Sequence, residues 1–297
     1  MPAFVFFPSR ASLGPQCKTL QKCPLVKAGY NQTRMIQALS VHWHYLWLVT
    51  ASLLAGIMNA MAGGGTFLAF PALLGMGIPP IEANATNTVA LWPGQLTSLA
   101  ALHGDVRRSL LPAALTSALL GGTAGAELLL HTRQITFLHL VPWLLLLAAV
   151  LFGVSAPASN WLRNRAAKSS QAALGPARPT PLAVGLLLLP ICFYIGYFGA
   201  GGGLLIMTVL SLLGLEQMHQ LTAMKIVTAA TANFCAIVTF VASGRVLWHY
   251  CLVSMVFAGM GGYIGARNAR RMNPAALRVV VVLTGLTLSA YFFWKQM

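Results

Sequence analysis

Apolar and polar positions divide the chain into a polar beginning and two series of apolar runs. Residues 1–43 are polar and basic, with Arg10, Lys18, Lys22, Lys27 and Arg34. They lack the unbroken apolar stretch and small-residue cleavage site of a secretory signal, so a disordered tail is expected, and Met35 is a candidate true start of translation. Apolar runs then occupy 45–62, 66–78, 83–103, 109–130 and 135–154. A connector containing RNRAAKSSQAALGPARPTP follows, and the series restarts at 181–198, 203–214, 219–242, 246–266 and 275–294. Several runs reach the length of a membrane span, about 20 mostly apolar residues, and ITFLHLVPWLLLLAAVLFGV at 135–154 is the clearest. The runs at 66–78 and 203–214 are too short to span alone. Each is therefore predicted to be a re-entrant half-helix or one part of a broken helix.

The two series repeat one another. At an offset of 138, Ala62, Gly63, Gly64 and Gly65 match Ala200, Gly201, Gly202 and Gly203, and Ala85 and Val89 match Ala223 and Val227. At 140, Gly104, Val106, Gly121, Gly122, Gly125 and Ala126 match Gly244, Val246, Gly261, Gly262, Gly265 and Ala266. Chance similarity between apolar segments would align leucines, not glycines in order, so an internal repeat is expected. The expected organisation is a tail over 1–43, a first repeat over 44–160, a basic connector over 161–180 and a second repeat over 181–297, with about four spans in each repeat. Placing both the connector and the Arg267, Arg270, Arg271 loop in the cytoplasm favours inverted repeats. A cytoplasmic basic tail would favour parallel ones, but that charge disappears if the chain starts at Met35.

Composition fixes the solvent. Of 297 residues, 57% are hydrophobic and 8% charged, and the mean hydropathy is +0.73. A soluble domain carries about a quarter charged residues, so this chain cannot cover itself in water, and an all-α polytopic membrane protein is predicted. The net charge of +15 then reads as Lys and Arg gathered in cytoplasmic loops rather than as a nucleic-acid surface. Five cysteines without CxxC spacing argue against a zinc site or a disulfide framework, and no cofactor is expected. Four acids in all, Glu82, Asp105, Glu127 and Glu216, leave little material for a proton relay or a sodium site.

Candidate chemistry begins at the glycines. Non-helical backbone in hydrocarbon leaves N–H and C=O groups that cost several kcal/mol each unless something satisfies them, so it is expected where it lines a cavity. Gly63, Gly64 and Gly65 before Thr66, and Gly201, Gly202 and Gly203 before Leu204, permit such irregularity and let a ligand approach the main chain. A short helix after each run would aim free N–H groups at that ligand and favour an anion. Close packing by small residues is the competing explanation, but packing glycines are usually spaced GxxxG. Gly121 with Gly125, and Gly261 with Gly265, have that spacing and are assigned to packing.

Lys225, inside LTAMKIVTAATANF, is the next candidate. A lysine within a span is a natural partner for an anion, or it snorkels to the interface from a helix end, and the sequence leaves both open. Its repeat counterpart is Asn87, and Gln95 pairs with Asn233 as neutral hydrogen-bonding groups. His42 and His44 alternate with Trp43, Tyr45 and Trp47 and read as an interfacial belt rather than a metal site. Glu127, followed by His131 and Arg133, reads as a water-facing helix end. No GxSxG, HExxH or Walker pattern occurs, so no enzymatic chemistry is expected.

Two modules, each with a glycine triplet, a short helix, an Ala-x-x-Asn/Lys segment, a Gly-x-Val turn and a GGxxGA helix, resemble the sulfite exporter TauE/SafE family of bacterial membrane transporters over about residues 45–294. The resemblance implies passage of small sulfur oxyanions or organosulfonates across the bacterial inner membrane, usually as export. One departure is Met61 where the second module has Gly199, so the two half-sites are expected to be unequal. On this reading the amides of 63–66 and 201–204, with Asn87 and Lys225, hold a small anion and Gln95 and Asn233 line its path. A non-transporting membrane subunit and a passive anion channel are the alternatives. Membrane lipid is the other expected partner, and the sequence does not specify a homo-oligomer.

Overall fold

The computed structural model describes residues 43, 45–59, 64–102, 106–169, 180–215, 217–268 and 274–296. Met35, His42, His44, Gly63, Asp105 and Glu216 lie outside them, as do almost all of the expected tail and 170–179 of the connector. The chain divides into two units, Met1–Leu46 and Trp47–Met297. In the first, the described residues Trp43, Tyr45 and Leu46 are helical.

Every regular element among the described residues is a helix. We number them α1 (Tyr45–Asn59), α2 (Thr66–Gly75), α3 (Pro80–Leu102), α4 (Leu111–His131), α5 (Gln134–Ser169), α6 (Pro181–Tyr197), α7 (Gly202–Leu212), α8 (Met218–Ala242), α9 (Trp248–Asn268) and α10 (Pro274–Gln296). The short apolar runs are the short helices: α2 has 10 residues and α7 has 11, half of what a span requires. Helix α5, by contrast, runs for 36 residues, about 54 Å at 1.5 Å each, and carries its helical backbone through Arg163, Arg165 and Lys168 into the expected connector. Helices α4, over Leu111–His131, and α8, over Gln220–Ala242, are each long and apolar enough to cross a membrane.

Apolar side chains also cover the outside. Leu120, Leu186 and Val256 are 64%, 65% and 59% exposed, and Leu182, Leu252, Leu283 and Tyr263 are similarly open. Water would penalise each of these by a kcal/mol or more, about 25 cal/mol per Å² of apolar surface, whereas acyl chains would not.

The helices interlock across the chain. Helix α4 packs against α6 and α8, and α9 packs against α3. Helix α9 also touches α1 through glycine contacts. Helices α5 and α7 are in contact, as are α10 and α2, and two further interfaces join α3 to α8 and α5 to α10. The GGxxGA helices make the closest approaches. A Cβ on Gly125 would lie 2.1 Å from the Phe193 carbonyl oxygen, and one on Gly121 would lie 2.7 Å from both Leu189 O and Phe193 N. In α9, a Cβ on Gly261 would lie 2.0 Å from Leu53 O, and one on Gly265 would lie 2.9 Å from Ile57. These glycines let helix backbones touch, as small residues do in membranes. One apolar core joins α4, α6, α7 and α8 through Ala118, Leu188, Ile206 and Met224. Another contains an aromatic cluster in which Phe198 meets Phe70 at 5.5 Å and Phe137 at 6.3 Å between ring centroids.

At one edge, Glu82 accepts hydrogen bonds from Arg245 at 2.7 Å and from the Gln134 amide at 2.6 Å. Gln134 in turn accepts from Ile81 N at 3.0 Å. The contact fastens the beginnings of α3 and α5 to the α8–α9 turn.

Candidate functional site

The second glycine run interrupts the chain between α6 and α7. Gly199 and Gly201 have φ of +81° and +74°, left-handed values that L side chains rarely adopt, which is why glycine is required there. Phe198, between the end of α6 and these glycines, is buried against Phe70 and Phe137 and anchors the break. Carbonyls released from the helical ladder find side-chain donors. Tyr194 Oη donates to Ala200 O at 2.7 Å, and Asn84 Nδ2 donates from α3 to Tyr197 O at 3.2 Å. The N–H groups of Gly202 and Gly203, opening α7, make no hydrogen bond to the described residues. Before α2, Phe67 N and Leu68 N bond back to Gly64 O and Gly65 O, both at 3.1 Å, and Thr66 stands as the first helical residue.

A cavity of about 100 Å³ lies between the two broken regions. On one side it is lined by Asn59 at the end of α1 and Thr66 at the start of α2, with Thr88, Leu91, Gly94 and Gln95 of α3. On the other side stand Ile195, Phe198, Gly199 and Gly203, then Lys225, Ile226, Ala229 and Asn233 of α8. The stem of Lys225 crosses the start of α7: a Cβ on Gly203 would sit 3.4 Å from its Cδ and 3.5 Å from its Cγ. Lys225 forms no ion pair or hydrogen bond with the described residues. Helices α3 and α8 meet over the cavity, where Asn233 Nδ2 donates to Gln95 Oε1 at 3.1 Å. Trp92 Nε1 donates to Ala230 O at 3.1 Å, and its ring stacks on Phe234 at 5.5 Å.

Of the candidates named from sequence, Thr66, Gln95, Gly203, Lys225 and Asn233 line this cavity. Gly202 lies behind it, where a Cβ would meet Ile195 Cγ1 at 2.2 Å, and Gly65 faces Ala55 O at 2.5 Å. Gly64, Gly201 and Leu204 shape the breaks without lining the space. Asn87 is buried in α3, its Oδ1 without a hydrogen-bond partner, away from the cavity wall. Asn59, Thr88 and Gly199 were not among the candidates. Asn59 had a legible mark, an amide closing an apolar run just ahead of the glycines. Thr88 and Leu91 follow from Gln95 by helical period, at i−7 and i−4.

The arrangement suits an anion: a cation and neutral donors converge, and no carboxylate of the described residues lines the space. No group of three His, Cys, Asp or Glu side chains gathers among the described residues. Comparison with known proteins identifies a family of membrane transporters. The chain is 27% identical over 248 residues to a "probable membrane transporter protein ORF9" of Sinorhizobium sp, covering 82% of this chain and 90% of that one. A "probable membrane transporter protein" of Haemophilus influenzae is 26% identical over 255 residues, 84% of this chain and 94% of its own. The "probable membrane transporter protein YfcA" of Escherichia coli K12 is 25% identical, with 84% and 89% covered. No solved structure matches the chain. The model of the family described as "Sulfite exporter TauE/SafE" matches residues 48–292. The chain therefore belongs to the TauE/SafE sulfite exporter family of membrane transporters.

Proposed function

We propose that the protein exports small sulfur oxyanions or organosulfonates across the bacterial inner membrane, moving them by alternating access without chemical change. The observation that carries this reading is the cavity between two helix breaks, in which Lys225 stands without a partner. In this reading Asn59, Thr66, the Gly203 N–H and Lys225 form the anion site and the Gln95–Asn233 bridge lies on the path, whereas Asn87 stands apart from it.

Two inverted repeats, 44–160 and 181–297, joined by the basic connector 161–180, supply the two breaks. Reciprocal packing supports this organisation. Helix α4 meets α6 as α9 meets α1, and α4 meets α8 as α9 meets α3. Residues 138 apart also touch one another, as Gln95 does Asn233 and Trp92 does Ala230. Equivalent residues can meet only near the axis relating two copies. Three such pairs line the cavity, Thr88 with Ile226, Leu91 with Ala229 and Gln95 with Asn233, which favours a site midway between the repeats. With the cell interior negative, each anionic charge expelled gains about 2.3 kcal/mol per 100 mV, so export needs no coupled cation.

Purified protein in liposomes loaded with labelled sulfite should release it faster than protein-free vesicles, with a rate that saturates. Release with no dependence on protein would overturn transport, and conductance that never saturates would assign a channel instead.

A further inference from the structure

We infer that the site selects anions bearing one negative charge and rejects dianions. This rests on the transport reading above and adds the charge of the cargo. Among the described residues, Lys225 is the sole charged side chain on the cavity wall. Glu82 is bound to Arg245 and Gln134 at the protein edge, and Glu127 is 57% exposed beside His131, so neither can draw a second cation inward.

The neutral donors are also partly spent. Asn233 gives an amide hydrogen to Gln95, and Thr88 Oγ1 donates to Asn84 O at 2.8 Å. Asn59, Thr66 and the Gly203 N–H are left for a ligand, while Leu91, Ile195, Phe198, Ile226 and Ala229 present hydrocarbon. Doubling a charge in such a space quadruples the cost of removing it from water but only doubles its attraction to one ammonium. A monoanion leaves the occupied site neutral; a dianion leaves it negative, in a cavity of about 100 Å³ with little room for its hydration shell.

The test uses unmodified protein in liposomes at one fixed pH near neutrality. Efflux of labelled sulfite is competed with methanesulfonate, a permanent monoanion, and with sulfate, a dianion of similar size. Methanesulfonate should compete, and sulfate should be weaker on the order of a hundred-fold, the ratio expected for one uncompensated buried charge. Labelled methanesulfonate should also carry one elementary charge per molecule when tracer flux and current are recorded together. If sulfate competes equally while sulfite efflux persists, charge selection is overturned and transport stands. If no anion moves, the transport reading falls and this inference falls with it.

Discussion

Substituting Met for Lys225 removes the ammonium and keeps a flexible stem of similar length. The contact over Gly203, where a Cβ would lie 3.4 Å from Lys225 Cδ, is thereby retained. An anion held about 4 Å from the ammonium gains about 4 kcal/mol at an effective dielectric constant near 20. Freed donors nearby recover part of that, so a net loss of about 2–4 kcal/mol is expected, a rise of roughly 30- to 1000-fold in the half-saturating concentration. Stability should move the other way. An unpartnered cation in a half-buried position costs the folded state, and its removal should raise the melting temperature in detergent, as happens when functional residues are replaced by apolar ones. The assay pairs tracer efflux over a substrate range, at matched protein density in vesicles, with a thermal melt of the same preparation. Unchanged half-saturation would remove Lys225 from the site. A lowered melting temperature would make it a structural residue.

Two further outcomes follow from the breaks and the interlocked helices. Tyr194→Phe strips the donor from Ala200 O and should cost about 1–3 kcal/mol, seen as a lower melting temperature and slower efflux; an unchanged melt would show that the carbonyl is satisfied otherwise. Gly125→Ala places a Cβ 2.1 Å from Phe193 O and must part α4 from α6, at a cost of about 1–3 kcal/mol. Gly259→Ala, with nothing within 4 Å, should be neutral or stabilising, and equal melts for the two variants would refute the packing argument.

Element positions were legible because apolar runs in a membrane protein are bounded by the few polar and glycine-rich stretches the chain can tolerate. The run at 203–214 became Gly202–Leu212, and 219–242 became Met218–Ala242. Helix α5 outran its apolar stretch because Arg163, Arg165 and Lys168 favour helix without being apolar, and hydropathy is blind to that preference. Pro71, Pro93 and Pro190 suggest breaks by their type, yet all three lie inside helices. Neighbouring helices can re-satisfy the backbone there. Within the site, Lys225, Gln95 and Asn233 stood out because polar groups in apolar runs are expensive. Thr88 did not, since a threonine that bonds its own helix at Asn84 O costs little anywhere along a span. Asn87 was marked as the repeat counterpart of Lys225, but an equivalent position in a repeat need not face the same space, and the structure turns Asn87 from the wall.

The exchange of α4 and α9 has a mechanical consequence. Because α4 shares its core with α6, α7 and α8, and α9 lies on α1 and α3, the stiff pieces on either side of the cavity each borrow one helix from the opposite end of the polypeptide. If transport proceeds by the alternating access proposed above, its rocking motion would bend the links around α4 and α9, rather than swing the amino-terminal five helices away from the carboxy-terminal five. Severing the chain between α5 and α6 would leave those two pieces clasped.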